Sequence, residues 1–307
     1  MKKVATLLAA LMLMTAAFAG CGDTGSNSSA AETSTSSTVS ETSASESESS
    51  SEAAGDETSS ETSAAETGDY GEFTTVEEGK LIMATNAQFP PYELVSDGEG
   101  FNGTGFEGID IEIASAIADK LGLELQIDDM DFDSALVAVQ NDAADVVLAG
   151  LSYSEERDEV LDFTDSYATG VQVVIVKEDS DVTMDNLGEK MIGTQRGTTG
   201  YIYASDTPEN GGYGEDHVSA YDNGATAVQA LVNGQVDAVI IDEAPAKEYV
   251  AANDGLTILP GNWVEEQYCA AVNEGNTELL NAINTALNEL MDDGTVQEIL
   301  DKYITAE

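Results

Sequence analysis

Residues 141–163, Asn-Asp-Ala-Ala-Asp-Val-Val-Leu-Ala-Gly-Leu-Ser-Tyr-Ser-Glu-Glu-Arg-Asp-Glu-Val-Leu-Asp-Phe, constrain the fold more than any other stretch. Val146 to Ala149 is a short unbroken apolar run, the pattern of a strand covered on both faces in a parallel sheet. Gly150 supplies a permissive backbone at its carboxyl end, and Ser152 or Ser154 is expected to cap a helix whose first turn holds Glu155, Glu156 and Arg157. Such a turn gathers free amides, two hydroxyls and one guanidinium at one point, where a carboxylate would be held. Arginine is scarce: Arg157 and Arg196 are the only two in the chain, among 10 Lys plus Arg set against 59 Asp plus Glu. On this stretch alone, pairing of Arg157 with the acids of its own helix or with Asp162 stays an alternative.

From Lys80 onward, short apolar runs alternate with helical patterns. Leu81 to Thr85 reads as a strand, followed by a loop stiffened by Pro90 and Pro91. A helix with Ile113, Ile117 and Leu121 on one face stops at Gly122. Leu123 to Ile127 is the next strand, Ser134 to Gln140 a helix, and Val146 to Ala149 the strand already described. Alternation of this kind predicts parallel sheet with helices on its faces. A second block repeats the layout: Ala227 to Asp242 matches Ala135 to Gly150 as helix, Asn-led turn, Asp and buried strand. Met191 to Gln195, Val218 to Tyr221 and Val236 to Ile241 are its strands. Ligands of open α/β sheets sit beyond the carboxyl ends of the strands, so Gly150 and Asp242 belong at one cleft if the two lobes face each other. Val171 to Val176 and Gln267 to Val272 flank the second lobe and are expected to be a two-stranded hinge. Helices at Asn276 to Met291 and Thr295 to Tyr303 then return to the first lobe.

The expected organisation is a signal peptide at 1–20, an acidic Ser/Thr-rich linker at 21–79, one lobe from 80–171 plus 268–307, and a second lobe at 172–267. Lys2 and Lys3 precede an apolar run from Val4 to Phe18, the layout of a secretory leader. The following tract has no Lys or Arg before Lys80 and too little apolar surface to fold, and as a flexible tether it spans roughly 40 Å. The net charge of −49 excludes nucleic acid as a partner. With Cys21 and Cys269 the only cysteines, lipidation of Cys21 would leave no intramolecular disulfide, and Cys269 in its apolar run reads as a small buried hydrophobe.

Two familiar motifs fail on inspection. Gly150-Leu-Ser-Tyr-Ser imitates a nucleophile elbow but ends in Ser154, and its base would have to be the single histidine, His217. Asp129-Met-Asp-Phe-Asp begins like a calcium loop, yet Ser134 replaces the glycine and Gln140 the twelfth-position glutamate. No metal, cofactor or enzymatic activity is expected.

Phe89-Pro-Pro-Tyr-Glu, Gly108-Ile-Asp-Ile-Glu-Ile-Ala, Ala149-Gly-Leu-Ser-Tyr-Ser-Glu-Glu-Arg, Phe163-Thr-Asp-Ser-Tyr, Gly197-Thr-Thr and Asp237-Ala-Val-Ile-Ile-Asp occur in that order. In these motifs residues 80–305 resemble the extracellular solute-binding proteins, family 3, of amino-acid ABC transporters. Phe18-Ala-Gly-Cys21 is similar to a bacterial lipobox. The resemblance implies a two-lobed periplasmic-binding-protein-like fold of type II, each lobe a mainly parallel sheet flanked by helices. It implies that Arg157 takes the α-carboxylate of a free amino acid, aided by Ser152 and by amides near Thr198 and Thr199. Asp242 would take the α-ammonium with the Gly150 carbonyl, Phe89 and Phe132 would wall the ligand, and Asn86 and Gln195 would meet its side chain. Tyr92 would pack the loop instead. A neutral polar amino acid is the first expectation and a basic one the alternative, because either Gln195 or Arg196 could face inward. The implied partners are a permease and its ATPase, with the chain a monomer anchored by Cys21 on the extracellular face of the cytoplasmic membrane. An amino-acid-sensing receptor component, or a dehydratase on the same fold, is the rival reading.

Overall fold

The computed structural model describes residues 69–304. The leader, Cys21 and most of the 21–79 tract lie outside the described residues. Strand β1 (Lys80–Thr85) leads into three short strands, β2 (Gln88–Phe89), β3 (Glu93–Val95) and β4 (Phe106–Glu107), and then helix α1 (Ile109–Leu121). Next come β5 (Glu124–Asp129), α2 (Phe132–Gln140), β6 (Val146–Val147) and β7 (Leu161–Phe163). The long β8 (Ala168–Lys177) carries the chain into a second lobe of β9 (Ile192–Gln195), α3 (Thr199–Ser205), β10 (Val218–Tyr221), α4 (Gly224–Val232), β11 (Ala238–Asp242), α5 (Glu243–Ala252), β12 (Leu256–Ile258) and β13 (Val264–Tyr268). Return to the first lobe is through β14 (Ala271–Asn273), α6 (Thr277–Asp292) and α7 (Thr295–Tyr303).

The sheet orders are β5-β1-β6-β14-β7 in the first lobe and β10-β9-β11-β8-β12 in the second, with β13 also paired to β8. Both sheets are mixed, not mainly parallel. Parallel pairing is confined to β5-β1-β6 and β10-β9-β11, while β14, β7, β8, β12 and β13 join antiparallel. The reason is topological: a chain that leaves one lobe and comes back must enter each sheet once against the direction of its crossover units.

Both sheets are covered on both faces, which explains the unbroken apolar runs. In β1, Leu81 and Met83 pack toward α1 and α6 while Ile82 and Ala84 pack toward Phe132, Ala135 and Val139 of α2. In β8, Val173 and Ile175 meet Ala227, Val228 and Leu231 of α4, and Val174 and Val176 meet Leu187, Ile192 and Ile240 on the other face. The repeated Asp before each buried strand has a shared purpose. Asp145 accepts from the Ile82 and Val76 amides at 2.7 Å each, and Asp237 accepts from the Met191 amide at 2.9 Å. Each ties the start of its strand to the neighbouring strand.

Two local expectations need correction. No helix begins at Ser152 or Ser154: the chain makes one short turn at Arg157–Glu159 before β7 pairs with β14. Six residues between Ser154 and Leu161 are too few for a helix when the β-ladder claims Leu161 to Phe163. Nor is Gln267 to Val272 one strand, because the chain changes sheets at Cys269 and Ala270. Their amides bond the Leu151 carbonyl at 2.9 Å and the Thr164 hydroxyl at 3.0 Å instead of a ladder partner.

Asp145 is buried and accepts from the buried Ile82 amide and from the amide of the exposed Val76, so Asp145→Ala strands one buried donor and frees a second at the surface. It should lower unfolding stability by about 2 kcal/mol in chemical denaturation. Ligand affinity should stay at the wild-type value, because Asp145 sits at the end of β6 remote from the cleft.

Candidate ligand-binding site

One pocket between the lobes is lined by Asn86, Phe89, Glu93, Phe132, Ala149, Gly150, Ser152, Arg157, Gln195, Thr198, Thr199 and Asp242. All ten residues expected at the site therefore border it. Eight of the twelve lining residues come from the first lobe, and Gln195, Thr198, Thr199 and Asp242 come from the second.

Arg157 is 6% exposed, and its guanidinium lies 5.5 Å from the centre of the Phe132 ring. Its Nη1 donates to the Ser152 carbonyl at 2.5 Å and its Nη2 to the Gly197 carbonyl across the cleft at 2.9 Å. Ser154 Oγ accepts from the Arg157 amide at 3.2 Å, so this serine fixes the turn and does not cap a helix. Burial lowers the pKa of the guanidinium, and the nearby Glu266 carboxylate opposes that shift. On the facing lobe, Thr198 is the N-cap of α3 and accepts from the Tyr201 amide at 3.3 Å, which directs the first amides of that helix toward the cavity.

Gly150 has φ 52°, and a Cβ there would come within 2.6 Å of the Phe89 ring. The bare backbone thus lets Phe89 lie flat against the end of the central strand. Tyr92 is buried behind it, stacked on Phe89 at 5.8 Å and edge-on to Tyr268 at 5.0 Å, and does not border the cavity. Gln195 faces inward and donates to Asn86 Oδ1 across the cleft at 3.0 Å. Arg196 is turned to the surface, 3.8 Å from Asp222. Strand alternation decides between the two: Gln195 ends β9 on its buried side, and the next residue must point away.

Asp242, 7% exposed, sits at the carboxyl end of β11. Its Oδ2 accepts from Gln172 Nε2 at 2.8 Å, and its Oδ1 accepts from the Tyr268 hydroxyl. Burial, reinforced by the Glu266 charge, pushes Asp242 up to about 7. Gln172 Nε2 also reaches Glu266 Oε2 at 3.0 Å, and Ser152 Oγ donates to the same oxygen at 2.9 Å. A buried polar chain therefore runs from Ser152 in the first lobe, through Glu266 and Gln172 on the two connecting strands, to Asp242 in the second. Gly170 permits it, since a Cβ there would fall 2.4 Å from the Tyr268 ring.

Sequence reasoning missed Glu93, Gln172, Glu266 and Tyr268. Glu93 closes the Phe89-Pro-Pro-Tyr-Glu motif and was therefore in view, whereas Gln172 lies in a largely apolar strand and Glu266 and Tyr268 in Val264-Glu-Glu-Gln-Tyr, where nothing singles them out. Among the described residues no group of three or more His, Cys, Asp or Glu is arranged to hold a metal ion. Cys269 is buried, which pushes its thiol up to about 11.

Residues 81–306 match the family model of the bacterial extracellular solute-binding proteins, family 3. The chain belongs to this family. Its function is that of the substrate-binding protein of an amino-acid ABC transporter, and it is not an enzyme. It is 34% identical to the arginine-binding extracellular protein ArtP of Bacillus subtilis over 232 residues, 74% of this chain and 87% of that one. It is 30% identical to the L-cystine-binding protein TcyJ of Escherichia coli over 235 residues, 75% of this chain and 85% of that one. An ancestral arginine-binding protein bound to arginine superposes with a TM-score of 0.66 at 38% identity, covering 74% of this chain and 98% of the other.

The raised pKa values set a pH dependence for the unliganded protein. Asp242 at about 7 and Asp110, pushed up to about 6 by burial, hold protons in the folded state that the unfolded chain has already released. The native state therefore binds more protons between about pH 4 and 7, so their contribution to stability falls as pH rises through that window. Thermal unfolding of ligand-free protein should show a melting temperature that declines from pH 5 to pH 8, and Asp242→Asn should flatten the decline.

Proposed function

We propose that the substrate is a cationic amino acid, held by its α-carboxylate at Arg157, its α-ammonium at Asp242 and the Gly150 carbonyl, and its distal positive charge at Glu93. The observation that carries this reading is Glu93 itself. It is fully buried, borders the cavity, and neither of its oxygens accepts a hydrogen bond from the protein. A desolvated carboxyl without donors costs stability unless a ligand brings the donors, which a guanidinium or ammonium group does. The neutral polar amino acid expected from the sequence could donate a hydrogen bond there but would leave the carboxylate without a counter-charge. Likeness to arginine-binding relatives supports the same choice.

Ser152, Thr198 and Thr199 assist at the carboxylate, Phe89 and Phe132 sandwich the aliphatic part, and Asn86 and Gln195 bracket the side chain from opposite lobes. Residues 80–171 with 268–307 form one body and 172–267 the other, turning about β8 and β13. A ligand gripped from both bodies favours the closed arrangement, because only there does it make both sets of contacts. Cys21 carries a lipid after removal of residues 1–20, and the tract at 21–79 tethers a monomeric receptor to the outer face of the membrane, where it meets the permease and its ATPase.

A thermal-shift screen of the protein, stripped of carried-over ligand by unfolding and refolding, tests the substrate class. Arginine, lysine or ornithine should raise the melting temperature by several degrees, since a ligand at 100 times its Kd adds about 2.7 kcal/mol. Glutamine should do less. Arg157→Ala should remove the shift while leaving the circular dichroism of the protein unchanged; a shift that survives this change would sink the carboxylate assignment. Separately, Cys21→Ser should release the protein from cell membranes into the medium, and continued retention would refute the anchor.

A further inference from the structure

The cleft contains more carboxyls than its one guanidinium balances. Glu93 and Asp242 are buried and line it with Arg157, and Asp110 and Glu266 are buried behind it, bonded to the lining residues Gly150 and Ser152. The charged groups acting on Glu93 are acids only: Asp110 from α1, Asp242 from the end of β11 and Asp129 from the end of β5. The remaining titratable groups around it are the phenols of Tyr92, Tyr167 and Tyr249, none of which can supply positive charge. Asp110, in contrast, is well served. Its Oδ2 accepts from the Gly150 amide at 2.7 Å and its Oδ1 from the Tyr167 hydroxyl at 2.8 Å.

Two neighbouring buried carboxyls cannot both ionise without a counter-charge, and the one with more donors keeps the negative charge. Asp110 has two donors and Glu93 has none, so the proton resides on Glu93. We propose that the Glu93 and Asp110 carboxyls form a proton-binding site, and that a cationic side chain entering the cavity displaces this proton to solvent. This rests on the cationic-amino-acid reading of the site. In the exchange the O–H bond of Glu93 breaks, its electron pair stays on the carboxylate, solvent or buffer base takes the proton, and the incoming ammonium or guanidinium replaces it as the counter-charge. Burial and the adjacent Asp110 charge both raise the Glu93 pKa, which agrees with a proton retained at neutral pH.

The exchange makes affinity for a cationic ligand rise with pH across neutrality, by at most about tenfold per pH unit for one proton. A neutral analogue of similar shape has no side-chain charge with which to displace that proton, and its affinity follows only the Asp242 titration that both ligands share. Titration calorimetry with L-arginine and with L-citrulline, at pH 7 in phosphate and in Tris, reads the proton directly from the buffer dependence of the heat. Both ligands share any proton that the common α-ammonium displaces from Asp242, so the expected result is release of roughly one proton more per arginine than per citrulline. Equal proton release with arginine and citrulline between pH 6 and 8 overturns the proton site and leaves the substrate reading standing. Binding of neutral amino acids with no response to arginine, lysine or ornithine overturns the substrate reading and the exchange with it.

Glu93→Gln should reduce the proton release with arginine to the value seen with citrulline and weaken arginine more than citrulline. If that variant does not fold, carbon-13 spectra of the wild-type carboxyl groups decide the matter. Glu93 should be protonated at pH 7 in the free protein and ionised with arginine bound, and an ionised Glu93 in the free protein overturns the proposal.

Discussion

The structure depends on placing one desolvated cation at the junction of two lobes. Arg157 is held by carbonyls from both sides, Ser152 in the first lobe and Gly197 in the second. These two carbonyls take only part of its five N–H donors and do not neutralise it, so charge and donors remain available to an incoming carboxylate. A carboxylate side chain in the same place would form a closed ion pair, and the desolvation already spent on both partners would then be unavailable to a ligand. The chain contains acids in abundance, yet none of those hydrogen bonds to Arg157 is to a carboxylate. This is the arrangement a receptor for anionic groups requires.

The two connecting strands do more than join the lobes. Val173 to Val176 of β8 pack in the cores and Glu265 and Gln267 of β13 face solvent, but Gln172, Glu266 and Tyr268 turn inward and bond to the ligand-facing groups. Asp242 is therefore oriented by residues that sit on the axis of any lobe rotation. A change in the angle between β8 and β13 must disturb the bonds of Gln172 and Tyr268 to Asp242, and an added ligand bond at Asp242 acts back on the same strands. Closure and recognition are coupled through three side chains and do not need a longer path.

Much of this was legible in the sequence because it rests on local pattern. The two-sided strands announce themselves as apolar runs at 81–85, 146–149 and 236–241, and the repeated Asn-turn-Asp unit marks the two lobes. Arg157, Asp242 and the aromatic walls stand out by rarity or by position at strand ends. What was not legible is set by non-local pairing. The mixed sheets arise from a chain that crosses twice between lobes, and the failed helix after Ser154 arises because β14, more than a hundred residues later, claims Leu161 to Phe163. Glu266 and Tyr268 belong to the polar stretch Val264-Glu-Glu-Gln-Tyr, in which nothing marks one acid over its neighbour, and only its placement against β8 turns them toward the cleft.

Net charge and pocket charge are separate quantities in this molecule. Most of the 59 acids are solvated, where salt screens them within about 10 Å and they select nothing. Glu93, Asp110, Asp242 and Glu266 are buried, where electrostatic interactions are attenuated far less than at the surface. The acidity of the surface contributes solubility, and the same residue type performs two unrelated tasks according to whether water reaches it.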